Sequence, residues 1–471
     1  MVAIGLDPGR RRTFPWQRKA IISGFRDLTA KVRPSADCSV PVFKKQPTPF
    51  QRIVATQFLR KLGPGLITGA SDDDPSGIGT YSQAGAQLGY SIGWTMLLTY
   101  PLMVAIQEIS ARIGRTTGHG ISGNLCRHYP NWLLQLIVTL LFIANTINIG
   151  ADLSSMADAA RVLFGGQSLL YVLAFTAICV GGIVFIQYKL YVTFLKWLTL
   201  SLFAYVAAMF AAKVNWSDAL SGVLLPRITW SNEYFTTLVA ILGTTISPYL
   251  FFWQASQEAE DVHVDRRRKT LLKAPRQALD AFARIRTDTL LGMAFSNVIA
   301  LAIIITTAAT LHRVGVTNIE TSTQAAEALK PIAGAFTFTV FAVGIIGTGL
   351  LAIPVLAASA AYAVGEGRRW PVGLARQPKE AIAFYSVLAA SAVLGAAITL
   401  SPIDPIQALY WSAVINGVVA VPVMIVMMWI TANRRVMGQF TIGGALRWLG
   451  WVSTAAMALC VVAMITSWAF R

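Results

Sequence analysis

Asp72, Asp73 and Asp74 form an unbroken row of carboxylates, followed by Pro75, Ser76 and Gly77, within a stretch whose flanks are apolar. An ionised carboxylate in a bilayer is costly unless it faces a polar cavity or a partner. Successive helical residues point about 100° apart, so three in a row cannot share one face. One is expected at the centre of a site, with the others turned to a water-filled vestibule or capping a broken helix. Asp74, beside the proline, is the choice for the centre. A second stretch, GTTISPYLFFWQ at Gly243–Gln254, holds Pro248 in an apolar run. Proline removes a backbone donor and glycine tolerates unwound geometry, so both stretches read as helix interruptions. No Lys or Arg lies in the membrane interior of either helix to balance the carboxylate. The chemistry on offer is the binding of a cation by a carboxylate, hydroxyls and freed backbone carbonyls.

The elements that must carry these residues are membrane helices. The chain has 471 residues, 55% hydrophobic and 13% charged, against roughly 25% charged in a soluble domain. Apolar runs of about 20 residues recur along its length. Eleven helices are expected, over about 53–83, 91–114, 132–162, 168–187, 190–212, 235–258, 287–312, 331–363, 380–401, 406–431 and 446–470. The interruptions fall in the first and sixth, five helices apart. Paired broken helices in matching positions of two halves point to a transporter site at mid-membrane. The organisation expected is a basic cytoplasmic segment over 1–50, then a membrane domain over 51–471. That domain divides into a first repeat at 51–212, a second at 235–431 and an extra helix at 446–470.

The net charge of +17 is explained by its location: thirteen Lys/Arg lie between Arg10 and Lys61, and eight between Arg266 and Arg286. Basic loops stay cytoplasmic and sit against anionic lipid. Loop charge alternates along the chain, with Lys189 in one of the basic loops. The N-terminus is therefore expected inside a bacterial plasma membrane and the C-terminus outside. No aromatics are interleaved with the basic runs, so nucleic acid is not the expected partner. Residues 1–50 lack an apolar core and a cleavage site, and so do not read as a signal peptide. Cys38, Cys126, Cys179 and Cys460 are scattered, and the four histidines show no metal-ligand spacing. No catalytic set of an enzyme is present, no cofactor is implied, and a monomer is expected.

The segments Gly63–Tyr90, Gln107–Ile121 and Gly243–Gln254 together resemble the Nramp family of divalent-metal transporters. LDPGR at Leu6–Arg10 also looks like the family tetrapeptide, but it lies in the polar basic tail and is set aside. The resemblance implies a LeuT-like five-plus-five inverted repeat and alternating access. It also implies a metal site at Asp74, Gly77, Thr244 and Ser247, with the transported ion as substrate. The departures are informative. The family's metal-binding Asn falls at Gly77, its sulfur ligand at Ser247 and its sixth-helix histidine at Tyr249. In the third helix Asp152 is kept, but Ser155 stands at the usual Glu. The ninth-helix arginines are absent over 380–401.

A thioether favours softer ions. Without it, and without the amide, the donors suit Mg²⁺, which keeps several waters and binds through one or two carboxylates. Gly77 and Ser247 are further expected to enlarge the pocket for a partly hydrated ion. Asp73, Tyr249, Gln254 and Asn416 are expected around that ion, and Asp152 as a helix-packing or vestibule carboxylate. The pattern looks like the prokaryotic Nramp-related magnesium transporters. Mg²⁺ uptake with Mn²⁺ tolerated, by uniport, is expected. The alternatives are a proton-coupled Mn²⁺/Fe²⁺ transporter and a sodium-coupled amino-acid transporter of the same fold. Glu108 and Arg112, four apart on one helix, are expected to pair.

Overall fold

The computed structural model describes residues 68–69, 71–185, 202–265, 267–319, 321–330 and 334–469, all within one compact unit, Arg60–Arg471. The basic tail, the Leu6–Arg10 motif, Lys189 and most of the expected fifth helix lie outside the described residues. In chain order the α-helices are α1 (Pro75–Leu88), α2 (Trp94–Thr117), α3 (Ile121–His128), α4 (Asn131–Phe164), α5 (Ser168–Phe185), α6 (Phe203–Ala211), α7 (Trp216–Leu224) and α8 (Asn232–Thr245). There follow α9 (Pro248–Val264), α10 (Ala278–Thr310), α11 (Ser322–Glu327), α12 (Thr337–Gly367), α13 (Ile382–Ile398), α14 (Pro405–Ala432), α15 (Arg434–Met437) and α16 (Gly444–Ala469).

The two breaks are built alike. Helical residues end at Asp72, Asp74 is extended with φ −68° and ψ 171°, and Pro75 opens α1. Likewise α8 ends at Thr245, Ser247 is extended with φ −77° and ψ 133°, and Pro248 opens α9. Proline suits the first helical position because the N–H it lacks would have had no intrahelical partner. The prolines therefore restart helices after the breaks. Pro75 to Gly77, expected within the interruption, are the first turn of α1, and Pro248 opens its helix where an interior place was expected.

Around the broken pair stand α4, α10, α12 and α14, each of which packs on α1; α4 also packs on α12 and α14, and α14 packs on α8. Small residues allow the closest approaches. A Cβ at Gly243 would stand 2.0 Å from the carbonyl oxygen of Ala413, so α8 meets α14 backbone to backbone. Outward faces carry large apolar side chains, such as Leu170 and Leu173 on α5 and Leu459 and Val462 on α16. In water such a belt would be unfavourable; facing lipid it is not.

Seven described segments are long and apolar enough to cross a membrane, or eight if Pro75–Ile92 and Trp94–Thr117, meeting at 110°, count as one span. The expected count of eleven is not confirmed. Stretches at both the first and the fifth expected helix lie outside the described residues, and α13 has only 17 residues. Helix α10 begins at Ala278, nine residues before expectation, so Arg284 and Arg286 are helical. Hydropathy ends a span at the first charges, whereas here the helix continues with Ala278, Ala281 and Ile285 buried. Helix α12 starts later than expected, and α3, α7 and α11 form where loops were read.

Candidate functional site

Asp74 belongs to the extended break, and its side chain turns back onto the helix it starts. The Gly77 N–H donates to Asp74 Oδ1 at 2.7 Å, an N-cap bond. The other oxygen, Oδ2, accepts from Asn148 Nδ2 of α4 at 3.2 Å and from the Tyr249 hydroxyl of α9 at 3.3 Å. The Tyr249 hydroxyl also faces the Ser71 carbonyl at 2.8 Å, which ties the second break to the first.

Asn148 is the hub. Its amide nitrogen also reaches Asp152 Oδ2 at 3.3 Å, and its oxygen accepts from Asn416 Nδ2 of α14 at 3.0 Å. The Ser76 N–H faces both Asp74 and Asp152. Asp152 is therefore joined to Asp74 through Asn148 and is fully buried, in keeping with the helix-packing alternative and not with the vestibule one. Asn148 lies four residues before Asp152, and this i,i+4 spacing was the signal that could have found it.

Asp72 and Asp73 face neither water nor a helix end. Ser296 of α10 donates to Asp72 Oδ2 at 2.5 Å and to Asp73 Oδ1 at 3.1 Å. Both are buried, at 0% and 1% exposure, as is Asp74 at 2%. The capping role falls to Asp74 because only Asp74 has the extended backbone that lets its carboxylate reach the Gly77 N–H. Ser76, Ser296 and Ser412 were missed. Ser76 Oγ donates to the Leu409 carbonyl at 3.0 Å and meets Ser412 Oγ at 3.0 Å. A serine in an apolar helix is too common to flag such roles.

Gly77 does not enlarge the pocket. A Cβ there would stand 3.1 Å from the Asp72 carbonyl oxygen, 3.2 Å from Thr244 Oγ1 and 3.4 Å from Tyr81 Cε2. The side chains of Thr244 and Tyr81 have closed on the space an amide would fill. Ser247 Oγ donates to the carbonyls of Gly243 and Thr244 at 2.7 and 2.8 Å, leaving its lone pairs for other partners. Gln254 lies elsewhere: its Oε1 accepts from Thr68, and it has no hydrogen bond to Asp74. Glu108 pairs with Arg112 at 2.5 Å as expected.

Four aspartates are thus buried together, and none of the ion pairs among the described residues includes them. Asp72 Oδ1, Asp73 Oδ2, Asp152 Oδ1 and Asn416 Oδ1 are buried acceptors without a donor. Buried charge without a counter-charge is strongly unfavourable. The donor set is hard oxygen with an excess of acceptors, which is the chemistry of a cation site. Among the described residues no three His, Cys, Asp or Glu side chains converge as a cage, so carbonyls, hydroxyls or water would complete the shell.

The family model for Nramp, described as natural resistance-associated macrophage protein-like, matches residues 65–467. The chain belongs to the Nramp family of divalent-metal transporters. One Nramp relative, the divalent metal cation transporter MntH of Granulibacter bethesdensis, is 24% identical over 422 residues, covering 87% of this chain and 88% of the relative. The MntH of Verminephrobacter eiseniae is 26% identical over 398 residues, covering 82% and 84%. The manganese transporter of Eremococcus coleocola superposes with a TM-score of 0.65 at 15% identity, over 90% of this chain and 88% of that one. A Na⁺-coupled sialic acid symporter shares the architecture more distantly, with a TM-score of 0.51 at 11% identity, over 87% and 90%. These likenesses show the LeuT-like fold. As an Nramp protein the chain is a membrane transporter and not an enzyme.

Proposed function

We propose that this protein carries Mg²⁺, and tolerates Mn²⁺, into the cell by uniport through a site centred on Asp74. The observation that carries the reading is the buried carboxylate group, which has hard-oxygen neighbours and, among the described residues, no cationic partner. In this reading Asp74 binds the ion directly. Thr244, Ser247 and the backbone at Gly77 add oxygens, and Asp73, Tyr249 and Asn416 act on the ion's waters. Ser247 supplies a hydroxyl where the family offers sulfur, which favours a hard ion. Gln254 is left out of the site in this reading, because its Oε1 accepts from Thr68. The membrane potential drives uptake at about 4.6 kcal/mol per 100 mV for two charges, near three decades of accumulation. The proposal includes a bacterial inner membrane, an inside N-terminus, an outside C-terminus and a monomer beside anionic lipid. It also includes the repeats at 51–212 and 235–431 and the extra helix at 446–470.

One observation favours a second reading. Asn148 bridges Asp74 to Asp152, and a proton-coupled Mn²⁺/Fe²⁺ transporter would use that link, with Asp152 as proton carrier. The amino-acid alternative is disfavoured, because the buried aspartates repel a substrate carboxylate. Reconstitution in liposomes with a Mg²⁺-sensitive dye and a pH dye separates the first two. Uptake without acidification is expected, as is stronger Cd²⁺ inhibition in Ser247→Met. Acidification that follows metal uptake would favour the second reading.

A further inference from the structure

A cavity of about 300 Å³ opens at the end of the molecule away from the Arg266–Arg286 block. Its side chains come from the start of α8, the start of α14 and the end of α1, and α8 runs into α9, whose far end meets Arg268. Six amide or carboxylate side chains line it: Gln83, Gln87, Asn232, Glu233, Asn318 and Gln407. Among the described residues that line it, Glu233 is the only charged one, and none is Lys, Arg or His.

Two of these groups are structural. Gln83 holds the 317–319 turn, donating to the Thr317 carbonyl at 3.2 Å and accepting from the Ile319 N–H at 2.8 Å. Gln87 Oε1 accepts from Thr237 at 2.8 Å, and Thr237 meets the Tyr410 hydroxyl at 2.9 Å. This hydrogen-bonded row forms the cavity floor. Below it, on the same α14, the Leu409 carbonyl takes the Ser76 hydroxyl beside Asp74. Gln83 stands about 10 Å along α1 from Ser76. By contrast, the side chains of Asn232, Glu233 and Gln407 hydrogen-bond to no other described residue and are solvated.

We propose that this cavity is a waiting site for a fully hydrated divalent cation. The ion is held through its waters by Glu233, Asn232 and Gln407 before the floor opens onto Asp74. Size permits it: an ion with six waters fills about 180 Å³. Chemistry fits as well, because bound waters point their hydrogens outward and need acceptors, which amide and carboxylate oxygens supply. One carboxylate among neutral amides gives weak binding. A transit site requires that, since the ion must leave for the deeper site. The role in uptake rests on the transport reading above, whereas the binding does not.

Two measurements test it. In Asp74→Ala protein, Mn²⁺ binding followed by electron paramagnetic resonance should retain a weak class of sites. Adding Glu233→Gln and Gln407→Ala should remove that class. In proteoliposomes, Glu233→Gln should raise the KM for Mg²⁺ by about two- to fivefold with kcat kept. It should also relieve inhibition by cobalt(III) hexaammine, an exchange-inert mimic of a hydrated ion, added on the outer side. Glu233 is exposed and Gln407 half-buried, and neither side chain hydrogen-bonds to another described residue, so neither change removes a core contact. Loss of all Mn²⁺ binding in Asp74→Ala, or an unchanged KM with hexaammine inhibition intact in Glu233→Gln, would overturn the proposal. Full transport by Asp74→Ala would instead overturn the central-site reading and leave the waiting site standing.

Discussion

Asp74 performs two tasks with two oxygens: one caps α1 through Gly77, and the other faces Asn148 and Tyr249. The tasks separate by substitution, because asparagine caps a helix as well as aspartate does. Asp74→Asn should keep thermal stability in detergent close to wild type while lowering Mg²⁺ uptake on the order of a hundredfold, the loss of one charged ligand. Asp74→Ala should lose both, with about 1 kcal/mol of stability going with the cap. Equal melting temperatures for wild type and Asp74→Ala would contradict the capping role. A second residue sets a pH response. Burial pushes the His119 imidazole down to about 4, and the charges of Arg127, His263 and His128 add to the effect. Unfolded, it titrates near 6.5. Between those values the unfolded chain takes up a proton that the folded one refuses, so stability falls as pH drops from about 6.5 towards 4. Melting curves from pH 7 to 5 should show the fall, and His119→Asn should reduce it.

At the scale of elements, the C-terminal half of the second broken helix, α9, is pinned. Glu258 of α9 is 0% exposed and pairs at 2.5 Å with Arg284 of α10. Removing one partner of a buried pair costs about 3–5 kcal/mol, because the other charge stays buried alone. Arg284→Ala should therefore lower the melting temperature clearly, while the double change Glu258→Gln with Arg284→Met, which removes both charges, should recover much of the loss. This pair also explains why α10 begins early, a feature no hydropathy window shows. Apolar run length made most spans legible, and the prolines made both breaks legible to within a few residues. The occupants of the site were only half legible. The residue types at the first break were plain, but which aspartate caps depends on one extended backbone. Ser296, which holds the other two, lies 224 residues along the chain from Asp72. Gln254 looked available from its spacing, yet its Oε1 accepts from Thr68, which precedes the first break in the chain. Tyr81 filled the space that glycine at 77 seemed to leave.

For the whole molecule the central matter is charge. Four buried aspartates lie together, and among the described residues no Lys or Arg pairs with them; in the proposed reading the balancing charge comes from the transported ion. A divalent ion supplies two units. If Asp152 only shapes the network through Asn148, the ion's own charge is all that moves across the membrane. If Asp152 carries a proton, a third charge moves with each ion. The zero-flux potential of proteoliposomes clamped with valinomycin distinguishes these cases most directly. It should shift by about 30 mV for each tenfold Mg²⁺ gradient, the value for two charges. It should also stay fixed when a pH gradient is imposed. A zero-flux potential that moves with the pH gradient would contradict uniport.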